Sequence, residues 1–132
     1  MKKLLLGTLI ALSAGSANFA MADGWPISVL GNWSIIGNQS IGALSIATQA
    51  ALGHCRRITG TVYADPIEGF YCPFSGRFQF VRKVPANNDT RQVWTGNVSQ
   101  DGAVDRMGGT FTSVSVALGG GSLGEYNFQG SK

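Results

Sequence analysis

A chain of 132 residues with ten basic and seven acidic side chains carries a formal charge of +3. Two of the basic residues are Lys2 and Lys3, so beyond the first few positions eight basic residues face seven acidic ones and the charge falls to about +1. That balance removes the electrostatic case for nucleic acid, and the roughly 110 residues past the leader-like start hold one core and exclude two domains.

Met1-Lys2-Lys3, the apolar run from Leu4 to Leu12 and the small residues closing on Ala20-Met21-Ala22 read as a secretory signal, residues 1–22, cleaved after Ala22. The run falls short of the roughly 20 residues a spanning helix needs, so the expectation is export to the periplasm or the medium without membrane insertion. Residues 23–30 lack periodicity and read as an extended lead-in whose Trp25 packs on the domain surface. From 31 to 132 the chain reads as one β domain. Gly, Ser, Thr, Val and aromatic residues are plentiful, which suits strands and tight turns. Turn signals recur every 8 to 15 residues, the spacing of consecutive hairpins. Eight strands are predicted near 33–36, 43–48, 57–64, 67–72, 77–84, 91–99, 107–116 and 125–129. The turns between them include Gly37-Asn38, Asp65-Pro66 and Gln100-Asp101-Gly102. Residues 47–52 could alternatively be helical.

The clearest alternation is Phe78-Gln79-Phe80, with both rings on one strand face. Gln92 and Trp94 share a face in the same way. Since neither face is uniformly apolar, a curved sheet with a partly polar interior fits better than a dry sandwich. Closure into an eight-stranded antiparallel barrel removes the exposed edges and gives an interior that is either filled or holds one small ligand. A membrane barrel needs strands of about 9 to 11 residues with an outward apolar band, and several strands here are too short.

Cys55 and Cys72 flank the hairpin around Tyr63-Ala64 and are expected to form one disulfide, in keeping with an exported chain. No metal site is expected, because the single His54 beside Cys55 cannot supply the three or four ligands zinc requires. No cofactor is implied: Gly119, Gly121 and Gly124 match a dinucleotide-loop spacing, but they open a strand rather than a helix. Nor is an enzyme, since no nucleophile motif or acid–base set is visible. Asp65, Glu68, Asp101 and Asp105 read as turn formers and solubilising charges, and the pairs Arg56-Arg57 and Arg82-Lys83 as solvated strand ends.

Several local motifs together resemble the avidin and streptavidin family. They are Gly31-Asn32-Trp33, Ile58-Thr59-Gly60-Thr61, Ile67-Glu68-Gly69-Phe70-Tyr71, Asn87-Asn88-Asp89-Thr90, Val93-Trp94-Thr95-Gly96, and Arg106 leading into Thr110-Phe111-Thr112. Gly-x-Trp at a first strand also looks like the wider lipocalin group. The resemblance implies an up-and-down barrel and a ligand site at its mouth. On it, Trp94 falls at a ligand-lining tryptophan, Thr90 and Gln92 at two polar contacts, Phe111 at a second lining tryptophan, and Asn38 best matches a Ser that neighbours the first-strand Asn. Most other biotin contacts depart: Ile35, Val62 and Ala64 replace polar groups, Tyr126 stands for the last-strand Asp, and another lining Trp falls near Arg82. Each buried partner lost costs a polar ligand about 1 to 3 kcal/mol, so tight biotin binding is not expected.

Two readings follow. In the first, the barrel is a binding module for a small molecule other than biotin, with Trp33, Phe80, Trp94 and Phe111 as candidate lining, although aromatics of this kind more often form the core. In the second it is a structural or protein-interaction barrel, an inhibitor or envelope accessory, with a filled interior. The family forms tetramers, but the Trp that closes a neighbouring subunit's site is missing here, which leaves a homo-oligomer and a monomer both open.

Overall fold

The computed structural model describes residues 25–85 and 89–132. The leader, and Asn87 and Asn88 of the avidin-like motif, lie outside the described residues. Eight strands follow in chain order: β1 (Gly31–Gly37), β2 (Ser40–Gln49), β3 (Arg56–Val62), β4 (Asp65–Cys72), β5 (Arg77–Lys83), β6 (Thr90–Asp101), β7 (Val104–Ser115) and β8 (Ser122–Ser131). Each pairs antiparallel with the next, and β1 pairs with β8 from Ser34↔Ser131 to Gly37↔Phe128. The sheet is therefore a closed up-and-down barrel with every strand edge paired.

Every one of the eight expected strands is present. The 47–52 segment is not helical: β2 runs to Gln49, with a bulge between Ile46 and Thr48 in its pairing with β3. The turn expected at Asp65-Pro66 lies two residues earlier, at Tyr63-Ala64, and Asp65 opens β4 opposite Val62. Tyr63 and Ala64 both have positive φ, 49° and 67°, as do Asn38 and Gln39 in the β1–β2 turn, 45° and 68°. This is the mirror-image two-residue turn whose twist matches paired strands.

Alternate residues face inward, which places Trp33 and Ile35 of β1, Phe78 and Phe80 of β5, and Trp94 and Val98 of β6 in one core. Ring contacts join the strands across this interior: Phe78 lies 5.8 Å from Phe80, and Trp94 lies 4.3 Å from Phe111 and 4.7 Å from Phe128. Around Phe78 and Phe80 the packing leaves no space for water. Polar groups lie at the two ends of this apolar interior.

The other end is sealed by the lead-in. Trp33 Nε1 donates to the carbonyl of Val29, Tyr71 Oη donates to that of Pro26, and the Gln49 amide accepts from Val29 N while donating to the carbonyl of Ile27. Trp25 covers Gly76, where any Cβ would collide with the indole, and stays half exposed. Lys132 completes the seal: its ammonium donates to the carbonyl of Leu30, lies 3.8 Å from Asp105 Oδ2, and sits over the Trp33 ring. At this end Cys55 and Cys72, 17 residues apart, form the expected disulfide.

Candidate functional site

The open end is formed where β1 turns into β2, β3 into β4 and β7 into β8, and where β5 ends and β6 begins. A cavity of about 460 Å³ lies there, lined among others by Asn38, Tyr63, Arg82, Gln92, Phe111 and Ser113. That volume is within the roughly 300–1,000 Å³ usual for small-molecule sites.

One wall is an ordered polar network. Arg82 follows Phe78 and Phe80 on the inward face of β5, and Asp65 precedes Ile67 on that of β4. The β4–β5 register sets Arg82 beside Ile67 and so brings guanidinium and carboxylate together. Arg82 Nε and Nη2 both donate to Asp65 Oδ2, at 2.9 and 2.6 Å. The two side chains are only 16% and 21% exposed, so this pair is more desolvated than a surface ion pair. Arg82 Nη1 donates to Gln92 Oε1 at 3.0 Å, and Trp94 Nε1 donates to the same oxygen at 3.2 Å. The guanidinium also lies 5.1 Å from the centroid of the Tyr63 ring, a cation–π contact.

Tyr63 is held as a bracket across the opening. Its hydroxyl donates to the carbonyl of Ser40 and accepts from Gly37 N. The ring lies so close over β2 that a Cβ at Gly42 would fall 2.1 Å from it, and a Cβ at Gly37 would press on the hydroxyl. Glycine at both positions is what lets this phenol lie flat. Beneath it, Trp94 is sandwiched between Phe111 and Phe80, with centroids at 4.3 and 5.5 Å, and Tyr126 extends the aromatic wall from Phe111.

The residues expected from sequence are thus divided. Asn38, Gln92 and Phe111 meet at the cavity wall. Trp94 lies behind them, 1% exposed, and Phe80 one layer deeper. Thr90 is half-buried at the start of β6, its carbonyl accepting from the Arg91 guanidinium, and is not part of the cavity wall. Trp33 is at the sealed end, where its indole serves the lead-in.

Asp65 and Tyr63 were not expected here, and Arg82 only as the position near which the family resemblance sets a lining Trp. Arg82 is not a solvated strand end, and Asp65 is not a turn former: each faces inward, and they satisfy one another. The signal for Arg82 lies in the Phe78-Gln79-Phe80 alternation, which continued by two residues puts Arg82 on the ring-bearing face.

A larger depression of about 710 Å³ lies on the outside of β4–β7, walled by strand-surface side chains such as Phe70, Gln79, Thr95 and Thr110. Among the described residues it holds no ion pair and no network like that at the mouth, so the mouth is the better candidate.

Fold and site together define a small closed up-and-down barrel with a packed interior and a partly polar cavity at one mouth. Comparison with known proteins adds no closer identity: no family model, no curated protein and no solved structure matches the chain.

Proposed function

We propose that this chain is an exported, non-enzymatic binding module that holds a small molecule other than biotin at the barrel mouth. The observation that carries the reading is the Asp65–Arg82–Gln92–Trp94 network, fixed at the wall of a ligand-sized cavity beside Phe111. Preorganised polar groups next to an apolar wall orient a ligand at little entropic cost. Export is supported by the disulfide, and no helix among the described residues is long and apolar enough to cross a membrane. The inward placement of the apolar side chains fits a barrel surrounded by water rather than lipid.

Descent from the avidin and streptavidin family is part of the proposal, supported by the up-and-down barrel and by Trp94 in its mouth half. Biotin is disfavoured because Ile35 and Val62 are buried apolar side chains where that ligand needs polar partners. Thermal shift against a metabolite panel that includes biotin tests the reading. Stabilisation by a small molecule, with none from biotin, is expected; no response to any compound would sink it. The second reading, a protein-interaction barrel, draws on the exposed Leu52, Phe70 and Phe74, and a silent panel would favour it.

A further inference from the structure

We infer that Gln92 sets the ligand class at the mouth: it selects a neutral molecule presenting a carbonyl-type acceptor, and disfavours carboxylates and amines. This rests on the reading of the mouth as a ligand site and goes beyond it by naming the chemistry.

The two groups that meet the Gln92 side chain, Arg82 Nη1 and Trp94 Nε1, are donors only. Only the amide oxygen can face them, so the orientation of this amide is dictated by chemistry. Its oxygen is thereby used twice, and its nitrogen, with two N–H donors, has no protein partner among the described residues. Gln92 is half-buried and lines the cavity, so those donors are what it offers a ligand.

The surroundings reinforce the choice. The two phenols of the mouth have their protons committed, Tyr63 Oη to the carbonyl of Ser40 and Tyr126 Oη to that of Leu123. The Arg82 charge is already cancelled by Asp65. A carboxylate would therefore bring an uncompensated charge into a half-buried site, and an ammonium would set its donors against the N–H groups of Gln92. A neutral carbonyl satisfies the donors and adds no charge.

Benzamide, benzoate and benzylammonium share one ring and differ only in the head group, so they isolate this term. Their affinities are measured by saturation-transfer NMR, with the Trp94 indole N–H resonance as the local reporter because that proton sits on Gln92 Oε1. Benzamide is expected to bind the unmodified chain tightest. Gln92→Glu keeps an oxygen for both Arg82 and Trp94 but replaces the free N–H groups with a second, charged acceptor. It should melt like the parent chain, weaken benzamide at least tenfold and turn the preference toward benzylammonium.

If benzoate or benzylammonium binds the unmodified chain tightest, or if benzamide binds Gln92→Glu unchanged, the assignment to Gln92 is overturned while the mouth remains a ligand site. If none of the three moves the Trp94 resonance of the unmodified chain, the assignment and the mouth reading fall together.

Discussion

The two ends of this barrel are built from the same eight strands and differ in how their inward polar groups are satisfied. At the sealed end the polar atoms of Trp33, Tyr71 and Gln49 are bound to the backbone of the lead-in, so that a segment outside the sheet is drawn in as a stopper. At the mouth Arg82, Asp65, Gln92 and Trp94 are bound to one another beside the cavity. A polar side chain paired with a plug stabilises the fold. Polar side chains paired among themselves around a cavity stay available to something else. The first end bears on stability and the second on recognition, and substitutions should separate the two.

The largest effect is expected where the two regions meet. Trp94 packs on Phe80, Phe111 and Phe128 and is fully buried, so Trp94→Ala should cost about 3–5 kcal/mol of unfolding free energy by denaturant titration and abolish mouth binding as well. Next comes the sealed end alone. Replacing both Cys55 and Cys72 by Ser opens a loop with a sequence separation of 17 and should cost about 3 kcal/mol on the chain-entropy argument, with small-molecule binding at the mouth unchanged when measured below the lowered melting point. If binding were lost along with the bridge, the two ends would not be independent.

The mouth network alone should give a smaller stability cost and a larger functional one. Arg82→Met keeps most of the side-chain volume but leaves Asp65 half-buried without its counter-ion. Breaking a fully buried pair costs about 3–5 kcal/mol, and the residual exposure of this one lowers the expectation to about 2 kcal/mol by chemical denaturation. Ligand stabilisation should vanish in the same variant, because Gln92 loses one of the two donors that orient it.

These differences also explain what was legible in the sequence. Strands such as β5 announce themselves because Phe78 and Phe80 alternate with Gln79, and the disulfide follows from two cysteines placed about one hairpin. The cysteine spacing centres a hairpin on Tyr63-Ala64, but that these two residues form the turn itself was not legible. A turn with positive φ at both central residues ordinarily takes Asn or Gly, and the adjacent Asp65-Pro66 carries the stronger local signal. The Arg82–Asp65 pair joins residues 17 apart, and only the β4–β5 register shows that each charge has a partner inside. Without that knowledge a charged residue is rightly expected in water. Residue type alone groups Trp33 with the mouth aromatics, since an indole suits a ligand wall. Its position at the start of β1 puts it instead beside the lead-in, whose lack of periodicity concealed its role.

The smallest effect at neutral pH is expected from Tyr71→Phe, which removes one hydroxyl at the sealed end. The ring stays packed, but the buried carbonyl of Pro26 loses its donor, a cost of about 1 kcal/mol. This variant is nonetheless the sharpest probe of the stopper, because its effect should change sign with pH. Burial, helped by the nearby Asp105 carboxylate and opposed by Arg56, pushes the Tyr71 phenol up from 10.0 to about 12. The folded chain therefore holds this proton where the unfolded chain has released it. Stability owed to Tyr71 is intact below pH 10 and is lost as pH climbs from there through about 12. The Phe variant has no proton to lose at this position. In paired denaturation curves the parent chain should lead at pH 7, and its lead should shrink above pH 10 and then reverse. A constant gap across that range would mean that the hydroxyl is already open to water, and that the lead-in does not seal the barrel.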